Sequence, residues 1–199
     1  MAEIEESKKA DFKEIQNVFE SLLQRLEEDY KQSNEKYDRE AKALMAHLQE
    51  STRQEDDQQE DEWDGERREA ERELLKEHEK EVHLRIEVVR EAKNAEFKIS
   101  TSLTWIILMR FARRSQNIKA ARQIFSRARK SPLITSHVYT ASALMEFYVN
   151  KDAVVAGKIF ELGMKTFNIA QDPFGETLIS RYLDFLLCLN DDNSLQILT

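Results

Sequence analysis

The sequence predicts an all-α protein, built as an α-solenoid of antiparallel helix pairs with a long charged helical insertion. First, the 199 residues include only four glycines and two prolines, too few for the turns of an all-β or doubly wound fold. Second, apolar residues recur at the three- and four-residue spacing of helices that bury one stripe. Third, short blocks of similar sequence return every 35–38 residues, a period typical of stacked helix pairs.

Charge, cysteine content and hydropathy narrow the class of protein further. The net charge is −8 and 34% of the residues are charged, which suits solvated helices. The single cysteine, Cys188, excludes a disulfide framework. The longest apolar stretch, residues 105–109, is too short to cross a bilayer, and the acidic N-terminus lacks a signal-peptide core. We therefore expect a soluble, intracellular protein with no membrane partner.

Residues 1–30 are predicted to form a partial helical repeat. Residues 31–99 are predicted to be a charged helical insertion, with helical composition over 31–49 and again over 66–98. Between these segments, residues 50–66 hold nine acids and one base. Such a run repels itself and buries no apolar surface, so we predict a disordered acidic linker there. The stripe of the first helix consists of Phe12, Ile15, Val18, Phe19, Leu22, Leu23 and Leu26.

Residues 100–199 are predicted to hold consecutive helical repeats, the last of them truncated. Short breaks separate the helices, so neighbouring helices should run antiparallel and pack in pairs. Asp172 followed by Pro173 is a good start for one of them, because the side chain can cap the helix and proline suits its first turn. The expected helices lie near residues 101–114, 117–130, 136–149, 152–167, 175–189 and 191–198.

An internal repeat relates these helix pairs. Residues 109–111, 145–147 and 183–185 occupy corresponding places in three first helices, and residues 121–125 match residues 156–160 in two second helices. A fourth copy of the second-helix block lies near the N-terminus, at Ile15-Gln16-Asn17-Val18-Phe19. The predicted repeat core comprises Phe19, Trp105, Phe111, Ala121, Phe125, Tyr139, Phe147, Ala156, Phe160 and Phe185, and Tyr148 and Tyr182 are expected mostly in the same core.

These blocks resemble the HAT (half-a-TPR) repeat, a TPR-like helix pair common in RNA-processing scaffolds. Trp105 with Met109-Arg110-Phe111 carries the likeness, and the variable spacing fits HAT better than the strict TPR period of about 34 residues. Longer runs are similar to the HAT scaffold of cleavage stimulation factor, the suppressor-of-forked family. The resemblance covers residues 100–193 closely and residues 2–28 more loosely. The longer runs are residues 109–114, 118–122, 137–139, 143–146, 158–163 and 189–193.

The resemblance implies a non-catalytic nuclear scaffold for cleavage and polyadenylation of mRNA 3′ ends. Members of the family dimerise through the C-terminal part of the HAT array and hold other subunits of the cleavage and polyadenylation machinery. The implied partners are a second copy of the chain and those subunits, with RNA contacted mostly through partner subunits. Residues 31–99 depart from the family, in which this connection is short. Incomplete first and last repeats make the chain look like a fragment. One alternative keeps the fold and places the scaffold in the spliceosome or in ribosomal RNA processing.

Positive charge is concentrated in residues 101–130, which hold eight bases and no acid. Such a cluster attracts phosphates and acidic proteins. The candidate basic docking surface comprises Arg110, Arg113, Arg114, Lys119, Arg122, Arg127, Arg129 and Lys130. Three interpretations stay open: a solvated or internally paired face, a surface for an acidic protein partner, and a direct RNA-binding module using residues 110–130. The bases are not interleaved with exposed aromatic residues, which weighs against RNA.

The sequence gives no support for catalysis or metal binding, and no cofactor or small-molecule substrate is expected. It lacks a Gly-rich phosphate loop and a nucleophile elbow. His78 and His83 stand five residues apart, so on a helix they point about 140° away from each other and cannot share one ion. Cys188 lies in an apolar stretch and is expected to be a small buried residue. An elongated coiled-coil spacer is a further alternative, since Leu75, Val82 and Val89 keep a seven-residue spacing.

Overall fold

The computed structural model describes residues 2–56 and 65–197, and every regular element in these two ranges is helical. The predicted all-α class is confirmed. The elements are α1 (Ala2–Asp56), α2 (Gly65–Ser115), α3 (Ile118–Ala128), α4 (His137–Leu144), a π-helix (Met145–Val149), α5 (Ala153–Thr166) and α6 (Gly175–Ile197). Across the described ranges, no helix is long and apolar enough to span a membrane.

Two predicted helix boundaries are wrong. The helix expected to begin near residue 101 is the last part of α2, which runs unbroken from Gly65 to Ser115. The change of composition near residue 100 contains neither glycine nor proline, and Thr104 satisfies its hydroxyl within the helix by donating to the Ser100 carbonyl at 2.9 Å. The separate helix expected at 191–198 is likewise the end of α6, because the polar run at residues 190–193 contains neither glycine nor proline to break the helix.

The acidic linker predicted near residues 50–66 falls partly outside the described residues. Its first part, residues 50–56, belongs to α1, and its last two residues belong to α2. Residues 57–64 are not described.

The chain divides into two compact units, which we call the repeat unit and the insertion unit. The repeat unit comprises Met1–Glu27 and Glu96–Thr199, and the insertion unit comprises Glu28–Ala95. The repeat boundaries expected at residues 30 and 99 stay predictions.

The repeat unit is built around small residues that allow its helices to approach closely. Ala121 and Ala156 are fully buried. A methyl group at Gly163 would come within 3.1 Å of the Tyr139 Cβ and 3.3 Å of Leu178, so only hydrogen fits there without a shift. These contacts bring α5 against both α4 and α6.

Aromatic rings fill the spaces between these helices. Tyr139 makes edge-to-face contact with Phe125 at 5.2 Å and with Phe167 at 5.4 Å. Phe160 stacks on Tyr182 at 5.3 Å, and such ring pairs add to the free energy gained by burial.

The ten predicted repeat-core residues all belong to this packed region, but to different depths. Trp105, Ala121, Phe125, Tyr139, Ala156, Phe160 and Phe185 are buried, whereas Phe19, Phe111 and Phe147 are partly buried against the same core. Phe111 is covered by α1, since its ring stacks on Phe12 with centroids 5.5 Å apart. The expectation for Tyr148 is wrong, because its side chain is 57% exposed.

The predicted helix over 136–149 changes type part of the way along. It is α-helical to Leu144 and π-helical from Met145 to Val149, and the Asn150 amide donates to the Met145 carbonyl at 3.1 Å. Within the π-helix, Glu146 is buried, and Tyr148 and Val149 are exposed. A π-turn changes which side chains face inward, and such segments often occur at functional sites.

Asp172 has the capping role that its position before Pro173 predicts, and a second role as well. Its Oδ1 accepts from the Phe174 amide at 2.8 Å. The same carboxylate accepts from the Ser136 hydroxyl at 2.8 Å and the Ser136 amide at 3.0 Å. The loop before α6 is thereby tied to the beginning of α4.

The insertion unit consists of parts of α1 and α2 that lie against each other. Arg90 forms an ion pair with Asp38, and a groove of about 270 Å³ is lined mainly by apolar side chains. Its lining residues are Tyr37, Glu40, Ala41, Leu44, Arg85, Ile86 and Val89. The heptad positions give no deep seam, since Val82 is half-buried and Val89 is exposed.

Candidate docking surface in the basic stretch

The eight basic residues of the predicted docking surface occupy three parts of the repeat unit. Arg110, Arg113 and Arg114 lie on the last turns of α2, Lys119, Arg122 and Arg127 lie on α3, and Arg129 and Lys130 follow it. Cations are favourable at a helix C-terminus because they lie close to its unpaired carbonyl groups. The environments of the eight residues differ. Two of them form ion pairs, one is hydrogen-bonded to Asn150, and the other five are exposed.

Arg122 is a structural residue whose guanidinium holds a buried carboxylate. Its Nε and Nη2 donate to the two oxygens of Glu146, each at 2.8 Å. The Glu146 side chain is 0% exposed, and an ionised carboxylate at such depth needs a charged partner. Arg122 also donates to Asp152 at 3.0 Å. The hydrogen bonds from Arg122 to Glu146 raise the pKa of the guanidinium above its usual value.

The same network continues from Glu146 to the end of α2. Asn150 donates from Nδ2 to Glu146 at 3.0 Å and accepts at Oδ1 from the Nε of Arg113 at 2.5 Å. Asp152 caps α5 by accepting from the Val155 amide at 3.0 Å. This bond, followed by the bond from Arg122, lowers the pKa of the Asp152 carboxyl. The network therefore joins α2, α3, the π-helix and α5 through one buried carboxylate.

Arg127 is occupied by α1 and by Trp105. It donates to Glu20 at 2.8 Å, and its guanidinium lies 5.7 Å from the centroid of the Trp105 ring, within cation–π range. Hydrogen bonds from Gln16 and then from Arg127 lower the pKa of Glu20. Arg127 thus fixes the N-terminal helix to the repeats.

The remaining arginines of α2 line a groove of about 480 Å³, which we call the arginine groove. Its lining consists of Arg110, Arg113 and Arg114 together with Ala141, Leu144, Met145, Tyr148 and Val149. Among the described residues, no acidic side chain forms an ion pair with these three arginines. The groove therefore combines unneutralised positive charge with an apolar wall.

His137, at the beginning of α4, reports the positive potential near Arg110. Its ring packs against Phe174 with centroids 4.6 Å apart. Burial lowers the pKa of His137, and the charge of Arg110 lowers it further, against a weaker opposing effect of Asp172.

Sequence reasoning missed the residue that organises this region. Glu146 is the only Asp, Glu, Lys or Arg between positions 131 and 150, and a lone acid in an apolar stretch after a run of bases indicates pairing with one of them. Which of those bases it pairs with depends on the packing of α3 against the following helix, which no sequence period predicts.

The residues considered for chemistry do not assemble into a reactive site. In the described ranges, no group of three or more His, Cys, Asp or Glu side chains is placed to hold a metal ion. Cys188 is partly exposed on α6 and not buried as expected. His78 borders a groove of the insertion unit with Leu74, Glu77 and Leu84, whereas His83 does not.

Comparisons with known proteins agree with the repeat pattern. Residues 1–199 match the family described as Suppressor of forked protein (Suf). The mRNA 3'-end-processing protein RNA14 of Cryptococcus neoformans var. neoformans serotype D is 52% identical over 99 residues, 50% of this chain and 9% of that protein. Protein suppressor of forked of Drosophila melanogaster is 40% identical over 100 residues, 50% of this chain and 12% of that protein.

A plant relative gives a similar match. Cleavage stimulation factor subunit 77 of Arabidopsis thaliana is 43% identical over 99 residues, 50% of this chain and 13% of that protein. The aligned parts thus span about a tenth of the length of these relatives. The predicted resemblance and the HAT-type α-solenoid class are both confirmed. The chain belongs to the suppressor-of-forked (Suf) family.

Proposed function

We propose that this chain works as a non-catalytic scaffold segment in the nuclear machinery that cleaves and polyadenylates pre-mRNA 3′ ends. The observation that carries the proposal is the 52% identity to a protein named for mRNA 3'-end processing, reinforced by the family match along the whole chain. The partners would be other cleavage and polyadenylation subunits, with RNA reached through them.

The repeat unit supports a binding role more than a chemical one. Among its described residues, the one fully buried carboxylate is that of Glu146, and both of its oxygens accept hydrogen bonds from Arg122. Its exposed features are instead those of an assembly surface: apolar side chains on α6 and exposed arginines on α2. Helix-pair arrays present such extended surfaces to partners.

Self-association through the repeats is part of this proposal. On α6, Ile179, Leu183 and Leu187 are exposed and recur at four-residue spacing, opposite the buried Leu178 and Phe185. A row of exposed apolar side chains of this kind is typical of an interface between proteins. We expect it to be covered by a second copy of the chain.

Co-purification tests the assignment to a machine. The tagged full chain is expressed in cells of its own species, recovered from nuclear extract with and without nuclease, and its partners are identified by mass spectrometry. We expect nuclease-resistant recovery of cleavage and polyadenylation subunits. Recovery of spliceosomal or ribosomal-RNA-processing proteins in their place contradicts the assignment, and recovery abolished by nuclease makes RNA the direct partner.

Light scattering tests self-association independently. We expect the purified chain to approach the mass of a dimer as its concentration rises, and Leu183→Glu with Leu187→Glu to return it to a monomer. The matched control is Leu74→Glu in the insertion unit, where the native leucine is even more exposed. A wild-type chain that stays monomeric, or a double variant that still dimerises, rules out α6 as the interface.

A further inference from the structure

The arginine groove carries an inference that the family match does not supply. We propose that it docks an acidic peptide segment of a partner protein, one whose carboxylates flank an aliphatic or aromatic side chain. This inference rests on the proposed scaffold function and names the chemistry of one partner.

The arginines of the basic stretch are not equally available to a ligand. Arg122 and Arg127 are neutralised by Glu146 and Glu20. Arg110 and Arg114 are exposed on α2 and form no ion pair with a described residue. Guanidinium groups match the planar, bidentate geometry of carboxylates and lose less hydration free energy than ammonium groups on binding. An acidic ligand would therefore meet donors for which no carboxylate of the described residues competes.

The wall of the arginine groove that lies opposite the three arginines is largely apolar. Tyr148 is 57% exposed and Val149 is 56% exposed, and both line the groove beside the half-buried Leu144. On α2, the exposed Leu103 and Ile107 share a face with Arg110, since the spacing is four and three residues. Apolar surface next to two adjacent arginines favours a ligand that carries both apolar and acidic side chains. The apolar groups provide most of the binding free energy, and the charges orient the ligand.

Preorganisation distinguishes the groove from an ordinary solvated face. Arg113 is tied by its Nε to Asn150, which is tied in turn to the buried Glu146. Its two remaining guanidinium nitrogens are thereby held at the groove at little entropic cost on binding. Tyr148, which lies in the π-helix, exposes its side chain at the groove, whereas Glu146 in the same segment is buried.

Nucleic acid fits the same surface less well. A single strand needs a continuous track of cations together with aromatic platforms for its bases. The ion pairs of Arg122 and Arg127 interrupt such a track along α3. Among the described residues, Tyr148 is the one aromatic residue that lines the groove, and the rest of the apolar wall is aliphatic and offers no further stacking surface. The observations therefore favour a peptide.

Selection from a random peptide library tests the proposal with the full chain. The probe is a display library of peptides of about 12 residues, selected on the wild-type protein, and enriched peptides are resynthesised with a fluorescent label. We expect them to contain Asp or Glu on both sides of Leu, Phe, Tyr or Trp. Arg110→Ser with Arg114→Ser should weaken their binding by about tenfold or more, and higher salt should weaken it further. Tyr148→Ser should weaken binding severalfold.

Matched controls remove the same charge or apolar area elsewhere. Arg129→Ser with Lys130→Ser removes two exposed cations outside the groove, and Val154→Ser removes an exposed apolar side chain of α5. Both controls should bind the peptides as the wild type does, and circular dichroism verifies that every variant keeps its helix content.

Each other result overturns the proposal. The peptide site is ruled out by an absence of enriched peptides, by enrichment of peptides that lack carboxylates, or by equal binding to the groove variant and the charge control. Preferential binding of oligouridylate that requires Arg110 and Arg114 assigns the groove to RNA. Failure here leaves the scaffold assignment intact wherever cleavage subunits still co-purify with the groove variant.

Discussion

The repeat unit and the insertion unit are both helical, yet among the residues whose exposure is described only those of the repeat unit form a buried core. In the repeat unit, Phe160, Leu178 and Leu108 are fully buried. In the insertion unit, no residue whose exposure is described is buried, and Leu74 and Leu84 are 70% and 65% exposed. Long charged helices can therefore form in this chain without a core, whereas the repeats depend on one another.

The two units also use charge differently. The insertion unit has exposed pairs within one helix, such as Arg85 with Glu81, and one pair between its two helices, Arg90 with the exposed Asp38. Pairs of this kind contribute little to the free energy of unfolding. The repeat unit instead has a fully buried carboxylate that joins several helices through Arg122, so the depth of the charge differs between the two units.

The largest expected effect comes from removing a core ring. Phe160 is fully buried and stacks on Tyr182, so Phe160→Ala should lower the free energy of unfolding of the repeat unit by about 3–5 kcal/mol. Leu84→Ala, on the exposed face of the insertion unit, should change it by less than about 0.5 kcal/mol. Hydrogen exchange read by mass spectrometry separates the two units, and equal effects would end the distinction between them.

The buried network gives the next effect. Arg122→Met leaves the Glu146 carboxylate buried without its guanidinium, and should cost about 3 kcal/mol. Adding Glu146→Gln should restore at least half of that loss, because the buried group is then neutral. The insertion-unit counterpart, Arg90→Met, removes a pair with the exposed Asp38 and should cost less than about 1 kcal/mol. Urea titration of the variants measures these differences, and a double variant less stable than Arg122→Met contradicts the assigned cause.

Close packing can be tested by adding one methyl group. A Cβ at Gly175 would lie 2.2 Å from the Ile169 carbonyl oxygen, so Gly175→Ala should cost about 1–3 kcal/mol. A Cβ at Gly157 would meet the Phe185 ring at 3.5 Å, an ordinary contact. Gly157→Ala should therefore stabilise α5 by about 0.5–1 kcal/mol through helix propensity. Thermal melting of Gly175→Ala and Gly157→Ala measures both effects. A Gly175→Ala variant more stable than Gly157→Ala would show that the repeats pack loosely.

Backbone strain at one residue provides a smaller effect. Lys151 has φ 57°, a left-handed conformation in which a side chain is unfavourable. Lys151→Gly should raise the free energy of unfolding by about 0.5–1 kcal/mol. Lys158→Gly, within α5, should lower it by about 1 kcal/mol. If both variants lose stability equally in urea, the turn carries no strain.

The smallest effect is a pH dependence confined to the repeat unit. Burial and then Arg110 lower the pKa of His137 in the folded state, so below about pH 6.5 the unfolded chain binds more protons than the folded one. Stability should fall as the pH drops through this range and further toward the folded-state pKa. His137→Asn should flatten that part of the pH profile measured by urea titration. An unchanged profile would remove His137 as its cause.

Helical content, the repeat period and most of the core were accessible from the sequence, because they follow from short-range patterns. Ala121 and Phe125 recur at Ala156 and Phe160, and this recurrence places all four in the core. The capping role of Asp172 could be predicted as well, since a side-chain acceptor before proline acts on the next few residues. The family resemblance follows from the same local runs.

The candidate site was only partly accessible, because its composition depends on distant pairings. Arg110 and Arg122 are equivalent in sequence terms, two bases in an acid-free stretch. Arg122 is taken up by Glu146, 24 residues further along, and Arg110 remains exposed. The exposure of Tyr148 depends in the same way on the π-turn.

By itself, the sequence determined the helical class, the repeats and the family, since propensity and periodicity act over one or two helical turns. Only the packing of the helices sets which arginines lack an ion pair with a described carboxylate. A guanidinium is neutralised by whichever carboxylate the packing of helices brings within about 3 Å, and no local pattern encodes that distance.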